Sequence, residues 1–93
     1  MNVAGEFQMV LSVVVATRNR PQALRTLLDS IQAQTLPPHE IIIVDDGSQP
    51  PVQPPENTVC LRNEVSRGAC IARNLGFQKA SGKYVFIFDE IAR

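Results

Sequence analysis

The chain has no tryptophan, one tyrosine, one histidine and only two lysines in 93 residues, and its nine basic residues are matched by nine acidic ones. A net charge of zero, with no stripe of Lys and Arg interleaved with aromatics, speaks against nucleic-acid binding. Long apolar runs are also missing. Val10–Ala16 and Ile41–Val44 fall far short of the roughly 20 residues needed to cross a bilayer. The N-terminus lacks the basic region and small-residue cleavage site of a signal peptide, so a cytoplasmic location is expected, with membrane association left open for a longer parent. Cys60 and Cys70 have neither CxxC nor zinc-ligand spacing and read as small buried hydrophobes of a reducing compartment. His39 follows Pro37-Pro38 and reads as a solvated loop residue, which leaves no partner for a nucleophilic cysteine. Neither GxxxxGK[ST] nor GxGxxG occurs, so the common phosphate-cradling loops are excluded.

What is present is the pattern of one small α/β domain. Residues 1–8 carry no periodicity and are expected to form a disordered leader, with the domain occupying residues 9–93. Val10–Ala16 is apolar apart from Ser12, as suits a central parallel strand covered on both faces. Thr17–Arg20 reads as a polar turn, and Pro21 as the first position of a helix. Leu24, Leu27, Leu28 and Ile31 recur along one face of that helix, which ends before Pro37. Ile41–Val44 reads as a second strand, Gln49–Pro55 with its four prolines as an extended connector, and Thr58–Leu61 as a weak third strand. Ala69–Ala80 reads as a helix whose small residues let it lie close on a sheet, closed by Gly82 as its C-terminal cap. Tyr84–Phe88 is then a fourth, strongly apolar strand.

Strand, helix, strand, strand, helix, strand is the order of half a doubly wound sheet, so the expected fold is a mainly parallel four-stranded sheet flanked by helices. Polar residues follow three of the four strands: Thr17–Arg20, Asp45-Asp46 and Asp89-Glu90. In a parallel sheet these ends lie together, where α/β proteins bind ligands. Asp-Gly-Ser after a strand is also ordinary turn chemistry, but the convergence of three such ends favours a site. Carboxylates there can accept from ribose hydroxyls or a ring N–H, or hold a divalent cation.

The blocks LSVVVATRNRPQALRTLLDSIQAQ, EIIIVDDGS and NEVSRGACIARNLGFQKASGKYVFIFDE resemble, in order and spacing, the N-terminal nucleotide-binding half of the inverting family 2 glycosyltransferases of the GT-A fold. The resemblance covers about Val10 to Glu90. It implies a Rossmann-like half-fold, a nucleotide-diphospho-sugar donor, usually a UDP-sugar, a divalent Mg2+ or Mn2+, and transfer with inversion at the anomeric carbon.

Residue by residue, Ala16, Thr17 and Asn19 match the family's P-x-Y-N-R block at the nucleoside pocket, with Ala16 in place of Pro and Arg18 in place of the aromatic. Asp45 matches the carboxylate that reads the base, and Asp46 to Ser48 shape the turn beside it. Gly68 to Gly76 matches the G-x-x-x-A-R-N-x-G helix, in which Arg73 either supports the nucleotide or anchors the fold by pairing with Asp45 or Asp89. Asp89 matches the first acid of the DxD-type motif, near ribose and metal. The family usually continues with further acids, whereas Ile91 stands here, so a metal would rest on Asp89 and Glu90. The base and acceptor pocket of the family lie downstream of these blocks. The resemblance thus implies a truncated donor-binding half, inactive alone. Its outermost strand, Tyr84–Phe88, is expected to self-associate. The alternative is a non-catalytic α/β module that binds nucleotide or a partner.

Overall fold

The computed structural model describes residues 11–34 and 38–91. Four strands, β1 (Leu11–Arg18), β2 (Glu40–Asp46), β3 (Val59–Asn63) and β4 (Tyr84–Ile91), form one all-parallel sheet in the order β3-β2-β1-β4. Helix α1 (Pro21–Gln32) joins β1 to β2, and α2 (Ala69–Lys79) joins β3 to β4. The expected α/β half-sheet is therefore present. The expected leader, residues 1–8, and the ends of the chain at Val10 and beyond Ile91 lie outside the described residues.

The apolar runs are continuous because both faces of the central strands are covered. Side chains alternate along a strand, so Leu11, Val13 and Val15 of β1 join Ile41 and Ile43 of β2 beneath Leu24, Leu28 and Ile31 of α1. Val14 and Ala16 join Ile42 and Val44 beneath Ala72 of α2 on the other face. Small residues bring α2 close: a Cβ on Gly76 would stand 2.2 Å from Val14 Cγ1 and 3.1 Å from Val44 Cγ2. The polar member of the β1 run is satisfied as well. Ser12 is fully buried, donates to Glu40 Oε2 at 2.5 Å and accepts the Gly82 N–H at 2.8 Å.

Several expected boundaries move, and most of them for one reason. β1 continues through Thr17 and Arg18, β2 through Asp45 and Asp46, β3 through Arg62 and Asn63, and β4 through Asp89 to Ile91. A polar residue marks where burial by a helix ends, but the ladder to the neighbouring strand continues beyond it. Arg18 is still paired with Ile91, and Asp46 with Asn63. α1 ends at Gln32, before Pro37 as expected. α2 is capped by Ala80 in extended backbone, not by Gly82. Of the cysteines, Cys60 packs partly buried against the α1 side, but Cys70 is exposed on α2. His39 is exposed, as expected.

Candidate functional site

The strand order reverses between β1 and β4, and in open parallel sheets the crevice at that reversal, beyond the carboxyl ends, is where ligands bind. Register assigns the candidate side chains to levels and faces. Thr17 is paired with Asp45 on one side and Glu90 on the other, while Ala16 is paired with Asp89. Alternation then separates adjacent acids. Asp45, Arg62 and Glu90 lie on the α1 side, and Asp46, Asn63 and Asp89 on the α2 side. The acids share one edge of the sheet but form two separate groups.

On the α2 side Asp46 is 1% exposed and its carboxylate is saturated. Oδ1 accepts from Asn63 Nδ2 (2.9 Å) and the Arg67 N–H (2.8 Å), and Oδ2 from Ser66 Oγ (2.7 Å) and the Gly68 N–H (3.0 Å). Gly68 is the N-cap of α2, with φ at 98°, and has no side chain to cap the helix, so Asp46 supplies the anchor. Burial pushes this carboxyl upward, but the donors from Arg67, Asn63, Ser66 and Gly68 outweigh it and hold the pKa at about 2.

Asp45 performs the matching task on the α1 side. It is 1% exposed, and its Oδ1 accepts the Ser48 N–H at 2.9 Å. Its Oδ2 accepts the Val52 N–H at 2.9 Å and Arg62 Nη1 at 2.6 Å. Burial raises its pKa, and the hydrogen bonds from Ser48, Val52 and Arg62 overcome that to leave it lowered. Asn19, at φ 55°, clasps the same loop: its N–H donates to Ser48 Oγ (3.0 Å) and its Oδ1 accepts the Gln49 N–H (2.8 Å).

β4 ends differently. Arg73 Nη1 donates to Asp89 Oδ2 at 2.5 Å, and Arg20 Nη2 stands 3.9 Å from Glu90 Oε2, with both acids partly exposed. Of the two anchors the sequence allowed for Arg73, the structure selects Asp89. Asp45 is taken by Arg62, which sequence reasoning passed over. The signal was available: continuing the weak third strand by two residues places Arg62-Asn63 in register with Asp45-Asp46. Arg18 also gains weight, because its Nε is buried with no hydrogen-bond partner among the described residues.

No cluster of divalent-metal ligands is seen among the described residues. Asp89 and Glu90 project to opposite faces, and Asp89 is paired with Arg73 while Glu90 stands 3.9 Å from Arg20. No helix among the described residues is long and apolar enough to cross a membrane.

Comparison with known proteins agrees with this architecture. The model of the family described as Glycosyl transferase family 2 matches residues 12–90. The chain belongs to that family. It is 42% identical over 87 residues to the uncharacterised glycosyltransferase YwdF of Bacillus subtilis, covering 88% of this chain and 32% of that protein. It is 34% identical over 99 residues to the hyaluronan synthase of Pasteurella multocida, covering 96% of this chain and 10% of the synthase. It is 29% identical over 86 residues to the Escherichia coli protein WfaP, named as a UDP-Glc:alpha-D-GlcNAc-diphosphoundecaprenol beta-1,3-glucosyltransferase, covering 86% of this chain and 34% of WfaP. The chain thus spans about a third or less of these relatives. No solved structure matches.

Proposed function

We propose that this domain binds the nucleotide-diphospho-sugar donor of a glycosyltransferase, with UDP as the nucleotide, in the crevice between the carboxyl ends of β1 and β4. The observation that carries the reading is the reversal of strand order at that crevice, flanked by Thr17 and the Arg73–Asp89 pair. Arg73 holds Asp89 in place at the edge, so that acid is oriented before a ribose hydroxyl arrives. Asp45, Asp46, Asn19 and Gly68 build the two walls. In this conformation Asp45 lies beneath the wall it holds, with its hydrogen bonds directed to the protein.

The donor class is supported by the family and by WfaP, whose name states a UDP-glucose donor. A divalent cation, where such donors carry one, would meet Asp89 alone from this chain and not the Asp89-Glu90 pair. Asp45, Asp46 and Asp89 are committed to hydrogen bonds with the protein, and Glu90, 3.9 Å from Arg20, is fixed by no hydrogen bond among the described residues, so no positioned base for an acceptor hydroxyl stands among these four carboxylates. The 93-residue chain is therefore expected to bind donor without transferring sugar. It is also expected to self-associate through β4, an edge strand with Tyr84, Phe86 and Phe88 exposed in a row on its α1 side.

Isothermal titration with UDP and UDP-sugars, with and without Mn2+, tests the reading beside an Asp89→Asn variant. Binding by the wild type, weakened about tenfold or more in the variant, is expected. A folded wild type that binds no nucleotide overturns the proposal in favour of a non-catalytic module.

A further inference from the structure

The segment from Ser48 to Val52 belongs to no helix or strand, and Pro50 and Pro51 have no N–H to give. Its three remaining N–H groups are all taken by side chains from strand ends: those of Ser48 and Val52 by Asp45, and that of Gln49 by Asn19. The loop therefore has no ladder of its own and is held where Asp45 and Asn19 hold it. It forms one wall of a cavity of about 420 Å³ whose other wall is Thr17, Pro21, Leu24 and Leu28.

Arg62 supports this arrangement from β3. Its Nη1 joins Asp45 Oδ2 (2.6 Å) to the Ser48 carbonyl (3.2 Å), while its Nε donates to Glu64 Oε2 (3.3 Å). We propose that Arg62 is a positioning residue of this α1-side cavity, which meets the β1–β4 crevice at Thr17 and seats part of the donor; it acts through Asp45 and the Ser48 carbonyl to fix the 48–52 loop in the conformation that shapes the cavity wall. This rests on the donor-binding reading above. The opposite role, a gate that Arg62 must leave before a ligand can reach Asp45, fits the geometry less well. Asp45 is 1% exposed, and the Val52 N–H would still sit on the oxygen that Arg62 vacates.

Two readouts on wild type, Arg62→Met and Arg62→Lys test it: amide hydrogen exchange resolved to single residues, and UDP affinity by calorimetry. Arg62→Met is expected to raise exchange at Ser48 and Val52 about tenfold or more while the β1 and β2 amides keep their protection, and to weaken UDP binding about tenfold. Arg62→Lys is expected to restore part of both, since it returns the charge on Asp45 but not the shared contact with Ser48. If the Met variant does not fold, the Lys variant decides the question by the same two readouts at smaller size. A loop whose exchange is unmoved overturns the inference whatever the nucleotide does. So does a loosened loop with UDP affinity equal to or tighter than wild type, the latter being the mark of a gate. A wild type that binds no UDP overturns the donor reading and, with it, any role for Arg62 in a donor cleft.

Discussion

β2 and β4 flank β1 at the same level and both end in adjacent acids, Asp45-Asp46 and Asp89-Glu90. Their fates differ. On β2 both carboxylates are 1% exposed and carry three and four hydrogen bonds, whereas on β4 each is partly exposed and meets one arginine. The cause is position in the sheet. β2 is interior, so β3 brings Arg62 and Asn63 alongside its acids and the following loops fold back on them. β4 is an edge with nothing beyond it among the described residues. Interior acids become structural joints, and edge acids keep partial exposure.

The comparison breaks first at Asp46. Asp46→Ala strands four donors, two of them backbone N–H groups at the start of α2. It is expected to cost about 3 kcal/mol or more, read as a lower urea midpoint. Asp89→Asn should cost no more than about 1 kcal/mol in the same assay, because about a third of the Arg73 pair is exposed to solvent. Equal losses at the two positions would remove the distinction between joint and site.

Titration sharpens it next. Asp46 is depressed from its ordinary value to about 2, so the stability it contributes is complete above the unfolded carboxyl range, near pH 4, and is lost as pH falls toward 2. The difference is on the order of 2 kcal/mol, and a stability–pH profile of Asp46→Asn should lack that part of the acid limb. Retention of the full limb in the variant would assign it to other acids.

A packing test separates the anchoring of α2 from its seat on the sheet. Gly76→Ala places a methyl against the Val14 side chain and is expected to cost about 1–3 kcal/mol without altering the Asp46 acid limb. The smallest effect on stability is expected at Phe86→Thr on the exposed edge strand. Its signature is a fall in self-association measured by light scattering at high concentration, with the urea midpoint little changed. A wild-type chain that stays monomeric at high concentration would leave the edge without that role.

Much of the scaffold was legible from local chemistry. The continuous runs at Val10–Ala16 and Ile41–Val44 announce strands covered on both faces. The Leu24, Leu28 and Ile31 spacing announces α1, and the small residues of the second helix announce its close approach. The family and the meeting of polar strand ends at one edge followed from the same residues. Period and residue size decide these features, and both are written along the chain.

What each acid does was not legible, since it depends on strand order and register, which no single segment contains. Asp45 and Asp46 are one residue apart, yet alternation sends one to Arg62 and the Pro-rich loop and the other to the start of α2. Arg62 and Asn63 belong to no motif, and they matter only because β3 lies beside β2. Asp89 and Glu90 look like a paired metal ligand in sequence and are separated by the pleat in space. The elements, their hydrophobic faces and the family are written in the residues alone, because helix and strand periods and family motifs are properties of the linear chain. Which carboxylates are buried joints and which stay partly exposed follows from the tertiary arrangement, because burial and hydrogen bonding depend on neighbours that are distant in sequence.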